Sequence, residues 1–154
     1  MKSILILTVL LWSNISAQTK KVRFTIDVFD FNSSMAFTLQ YHITNDSLIV
    51  TRFNGLKGER TALLLQKKLT VAQEVNIANL IKSPSFKSLK NAYRNALVAD
   101  GDQKKVVIQS NGKKKTIEIE DVYNNEVAKL IDDINCAVDH EFKIRYTEPS
   151  PTSL

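Results

Sequence analysis

In "VRFTIDV", residues 22–28, Val22, Phe24, Ile26 and Val28 alternate with Arg23, Thr25 and Asp27. "MAFTLQYHIT", residues 35–44, repeats the rhythm. Met35, Phe37, Leu39, Tyr41 and Ile43 fall on one side, with Thr38, Gln40 and His42 on the other. Apolar side chains at every second position require strands with one buried and one wet face, because successive strand residues point to opposite sides. Asn32-Ser33-Ser34 reads as a turn between the two strands. Asn45-Asp46 reads as a tight turn into a third, "SLIVTRF", which Asn54-Gly55 closes. "RTALLLQKK", residues 60–68, reads as a fourth strand whose leucine run predicts burial on both sides. The first half is therefore expected to be a four-stranded antiparallel meander. Phe29 and Phe31 fall on the face opposite Val22 to Val28. Either a bulge turns them inward, the preferred expectation, or they offer aromatic surface to a partner.

The pattern then changes. Thr70 and Gln73 have capping-box spacing, where each side chain satisfies a free backbone N–H of the other. Val71, Val75, Ala78 and Ile81 recur at helical spacing, widened by Ile77 and Leu80, until Ser83-Pro84 stops the helix. Residues 85–103 form a connection with room for one helical turn around Phe86 and Leu89, ending in a turn at "ADGDQ". "KKVVIQSNGKKKTIEIE" is a hairpin, since Asn-Gly is the favoured two-residue turn where both positions need positive φ. Counting outward sets Val106 against Ile117 and Lys105 against Glu118. A second helix runs from about Asn124 to Val138 with Val127, Leu130, Ile131, Ile134 and Val138 as its stripe. "EFKIRY" reads as a short final strand, and residues 148–154 as a disordered tail. The expected fold is α+β, a largely antiparallel sheet with two helices packed on one face, all in one domain over residues 18–147.

Before that domain stands a leader. Lys2, the apolar run Ile4–Trp12 broken only by Thr8, and a polar segment ending at Ala17 have the layout of a signal peptide over residues 1–17. The run is too short for a membrane span, which takes about 20 apolar residues. Export to the periplasm or the medium is the expected localisation. Charge is uneven. Residues 52–115 carry 14 basic against 4 acidic side chains, and residues 116–154 carry 3 against 9. Two such halves can neutralise one another in the fold, or leave a basic face for an anionic envelope component or protein. Nucleic acid is not expected as a partner, because no nucleic-acid-binding motif is present.

Little catalytic chemistry is legible. Cys136 and His140 are one helical turn apart, and Cys136 is the single cysteine. The C-terminal end of a helix, with Asp132, Asp133 and Asp139 nearby, is electrostatically the wrong place for an anionic nucleophile. A thiol tucked under the final strand or the 85–103 connection is expected, although Cys136 remains the one candidate reactive thiol. Two such ligands are too few for zinc, Asp100-Gly101-Asp102 lacks the closing glutamate of a calcium loop, and the four glycines are too scattered to cradle phosphate. Neither a metal site nor a cofactor is therefore expected. Glu118 and Glu120 read as cross-strand charge partners. The candidate binding residues are a basic prong, Lys113, Lys114 and Lys115 at the hairpin tip with Lys104 and Lys105 near its base, and the aromatic pair Phe29 and Phe31.

With a leader ending in "SAQ" and a small lysine-rich α+β chain behind it, the sequence resembles a broad group of exported bacterial proteins. Many members of that group have no assigned function, and the resemblance carries no functional residue. The expectation is a non-catalytic binding or accessory protein. The alternatives are a small hydrolase-like enzyme, using scattered acids with His42 or His140, and a self-associating envelope component.

Overall fold

The computed structural model describes residues 23–31, 38–54, 59–97 and 102–148. The leader, the turn at 32–34, the Gly55 end of the third strand, Asp100-Gly101 and the tail beyond Glu148 lie outside them. The protein is α+β, with a seven-stranded, mostly antiparallel sheet in the order β4-β3-β2-β1-β6-β7-β5. Its strands are β1 Phe24–Phe31, β2 Thr38–Thr44, β3 Ser47–Asn54, β4 Glu59–Lys68, β5 Ala92–Arg94, β6 Gln103–Ser110 and β7 Lys113–Glu120. The helices are α1 Val71–Lys82, α2 Pro84–Lys87 and α3 Asn125–Asn135.

Turn chemistry sets the registers. Thr44 Oγ1 donates to Asp46 Oδ1 (2.9 Å) and accepts from Ser47 N (3.2 Å), closing the turn from β2 into β3. Asn111 and Gly112 both take positive φ, 51° and 75°, so Ser110 faces Lys113, Val106 faces Ile117 and Lys105 faces Glu118. That is the register expected from counting outward along the hairpin. Alternate strand positions feed one core. Phe24, Ile26 and Val28 of β1, Tyr41 and Ile43 of β2, Leu48 and Val50 of β3, and Val106, Ile108, Ile117 and Ile119 of the hairpin are all buried. They cluster with Ile77 and Ile81 of α1, Phe86 of α2 and Val127, Leu130, Ile131 and Ile134 of α3. Each large aliphatic side chain so buried stabilises the fold by about 1.5–3 kcal/mol relative to leaving it in water.

Helix ends follow the sequence. Thr70 and Gln73 form the full capping box, with Gln73 N donating to Thr70 Oγ1 (3.3 Å) and Thr70 N donating to Gln73 Oε1 (2.9 Å). Asn124 Oδ1 caps α3 by accepting from Glu126 N and Val127 N. Between elements, Gln73 Nε2 donates to the Cys136 carbonyl (3.3 Å) and Ser85 Oγ donates to Glu126 Oε2 (2.9 Å).

Several expectations change. No strand covers "EFKIRY": His140–Phe142 is a 3-10 turn, and Ile144 beyond it is held by one side chain. Asn135 donates to the Ile144 carbonyl (3.0 Å) and accepts from the Ile144 N–H (2.8 Å), so an amide takes the place of a neighbouring strand. The 85–103 connection contains the expected turn at Phe86, but also β5, which pairs parallel with β7 at the far edge. β4 is an edge strand, not one buried on both sides, and Leu63 is 62% exposed. In α1 the core line is Ile77 and Ile81, while Val71 and Val75 of the expected stripe are exposed.

Candidate functional site

Of the basic prong, only part stands on the surface. Strand alternation sets Lys104 on the same side as Val106 and Ile108, where it is buried at 2% exposure. Its Nζ lies 3.0 Å from Asp30 Oδ1 and 2.7 Å from each oxygen of Asp102, and 5.6 Å above the centre of the Tyr146 ring. Lys104 is therefore no binding lysine but the centre of a satisfied ion cluster. Burial raises the Asp30 pKa above its usual value, with Lys104 opposing that shift and the Asp102 charge adding to it. Lys105 faces outward and meets Glu118 (3.3 Å), which Arg94 also approaches (3.5 Å). Lys115 donates to the carbonyls of Lys87 (2.9 Å) and Leu89 (2.6 Å), fastening the hairpin to the end of α2 and the residues just beyond it. Lys113 and Lys114 are exposed at the tip, and no ion pair among the described residues engages either.

Phe29 and Phe31 keep the parity of the outer face. The pairing of β1 with β2 and with β6 runs through Phe29 and Asp30 without a shift, so no bulge turns the rings inward. Instead they meet Phe53 of β3. The Phe29–Phe53 rings are edge-to-face at 5.2 Å, and the Phe29–Phe31 rings are stacked at 6.2 Å. None of the three belongs to the core cluster or to the side chains packed against it. Phe53 escaped the sequence reading because its approach to Phe29 depends on the β1–β2–β3 register, not on local spacing.

A polar network lies on the same face. His42 Nδ1 is 2.8 Å from Asp27 Oδ1, and Gln40 Nε2 donates to that same oxygen (2.7 Å). Gln40 Oε1 accepts from Arg60 Nε (3.0 Å) and Thr51 Oγ1 (3.5 Å). Asp27 and His42 are direct register partners across β1 and β2. This pair was not legible in sequence, where the two lie 15 residues apart. An imidazole oriented by a carboxylate has the chemistry of a general base, and among the described residues no serine, threonine or cysteine hydroxyl or thiol bonds to this one.

Cys136 is exposed at the C-cap of α3, not tucked beneath a strand, because the chain beyond it forms the 3-10 turn. No hydrogen bond joins its thiol to His140. Asp102 is bonded to Lys104 on the core side, whereas His42 sits on the outer face beside Asp27, so Asp102 and His42 do not share a site; Asp100 lies outside the described residues. Among the described residues no group of three His, Cys, Asp or Glu side chains is placed to hold a metal ion. No described helix is long and apolar enough to cross a membrane. The chain matches no protein-family model, and no curated protein or solved structure matches it.

Proposed function

We propose that the chain is an exported, non-catalytic binding module that acts through the outer face of its sheet. In this reading α1 and α3 both cover the core face, and the opposite face is left for a partner. The observation that carries it is the Phe29–Phe31–Phe53 cluster, three large apolar rings set outside the core. The three rings are partly buried against one another, and the part that still faces water is the surface a partner would cover. Export rests on the leader at residues 1–17. The test is capture of a partner from an envelope extract by the immobilised protein, compared with its F31S and F53S variants. Capture should fall in both variants while their melting temperatures stay near the parent's. Unchanged capture, with stability lowered by about 2 kcal/mol or more, would make the rings a second small core and end the proposal.

One observation favours a second reading, a small hydrolase-like enzyme: the oriented Asp27–His42 pair. Its test is hydrolysis of simple ester and glycoside substrates by the parent and by H42Q. Equal rates in the two would remove it.

A further inference from the structure

We propose that the cleft at the hairpin end of the sheet binds a segment of acidic polysaccharide. The inference rests on the reading of the chain as a binding module and names a ligand class for a second part of its surface. The cleft is open, about 1010 Å³ in volume, and its lining includes Arg23, Lys113, Lys114, Thr25, Gln109 and Asn111. Among the described residues that line it there are three cations and no carboxylate. Elsewhere several surface cations are matched, Lys105 by Glu118, Lys67 by Asp139 (2.6 Å), Lys129 by Glu126 (2.6 Å) and Arg94 by Glu118 and Glu120, while the exposed Lys68, Lys82, Lys87, Lys90, Lys143 and Arg145 enter no ion pair among the described residues. Arg23, Lys113 and Lys114 also have no acidic partner among the described residues, and these three line one cleft. Like charges gathered round one concavity repel each other and focus a positive potential into it, and an anionic ligand offsets that cost.

The uncharged lining selects among anions. Thr25, Gln109 and Asn111 carry both donors and acceptors, and none of these side chains is engaged by another group. Sugar hydroxyls need both kinds of partner. An acidic peptide would use the same cations, but its backbone and apolar side chains gain a further hold only from an unpaired strand or an apolar pocket. Here β1 is paired on both sides by β2 and β6, β6 is paired on both sides by β1 and β7, and Phe24, the apolar side chain of the lining, is only 3% exposed. The size and openness of the cleft suit a run of polymer more than one enclosed small molecule.

The test is calorimetric titration of the native protein with oligogalacturonate, a heparin oligosaccharide, neutral maltooligosaccharide and polyglutamate, at low and at physiological salt. One or both charged saccharides should bind, separating carboxylate from sulfate recognition, and the neutral chain should not. Reversing the exposed tip in K113E/K114E, with folding checked by thermal melting, should weaken that binding at least about tenfold. T25A and Q109A, each checked by thermal melting, should weaken it about threefold. The proposal is overturned if neither charged saccharide binds, or if K113E/K114E leaves binding unchanged. It is equally overturned if polyglutamate or anionic lipid vesicles bind as tightly and T25A and Q109A have no effect. Envelope capture through Phe31 and Phe53 that survives K113E/K114E separates failure of the cleft from failure of the binding-module reading.

Discussion

Lys104 Nζ lies 3.0 Å from Asp30 Oδ1 across the β1–β6 pair, with both side chains on the core parity of their strands. Replacing Lys104 by Met should destabilise the protein by about 3 kcal/mol, because it strands a carboxylate largely removed from water. That is the low end for such a loss, since Asp30 keeps 21% exposure. The double variant K104M/D30L should recover most of it. Asp30 already holds its proton above the usual carboxylate range, and losing Lys104 pushes it further up. The folded variant then binds this proton more tightly than the unfolded chain, so its stability rises as pH falls. The gap between parent and K104M should narrow in acid. Urea titrations at neutral and acidic pH would read both effects, and a double variant no more stable than K104M would count against the pair.

Alkaline pH tests two tyrosines. Tyr41 is fully buried and its hydroxyl donates to the Phe142 carbonyl (2.8 Å). Burial first, and then the Asp30 charge, raise its pKa well above the usual value. The Tyr146 hydroxyl donates to the Val122 carbonyl (2.9 Å) and accepts from Asn124 N (2.8 Å), and its pKa is pushed up to about 12, chiefly by burial. Unfolded tyrosines titrate near pH 10, where the folded pair still holds its protons, so the unfolded state binds fewer. Stability from these groups is whole below about pH 10 and is lost as pH rises through the folded values. The loss is about 1.4 kcal/mol per pH unit for each group, over a shorter span of pH for the half-buried Tyr146. Y41F should be about 1 kcal/mol less stable at neutral pH yet decline less steeply above pH 10. Equal alkaline slopes would refute this.

Gly112 holds φ +75° in the hairpin turn, and a Cβ built there meets nothing within 4 Å. The cost of G112A is therefore backbone strain alone, about 1 kcal/mol. N111G should lie within about 0.5 kcal/mol of the parent, because Asn tolerates the left-handed region and Gly does so freely. Thermal melts of the two variants decide it, and a G112A as stable as the parent would mean that the turn relaxes.

The Cys136 thiol is exposed. One equivalent of an aromatic disulfide reagent should therefore react in native buffer as completely as in denaturant, and C136S should fold normally. Reaction only after unfolding would show that the thiol is covered in solution.

Much of this molecule was legible in its residues. Alternation from Arg23 to Thr44 marks strands whatever the rest of the chain does, since it follows from the two-sided geometry of an extended backbone. The Asn111-Gly112 turn, the Thr70–Gln73 box and the Asn124 cap are equally local, each closed by groups within three residues of one another. Even the burial of Lys104 was implicit, because it shares parity with Val106 and Ile108, as Asp30 does with Ile26 and Val28. Charge alone suggested a surface prong. The tertiary structure decided the rest. It made β4 and β5 the edges, gave Ile144 an amide for a neighbour, left Cys136 in water, and brought Phe53 to Phe29 and Asp27 to His42. These relations join residues far apart in the chain. Local propensity sees which way a side chain points within its own element, but only strand order and register determine what it meets.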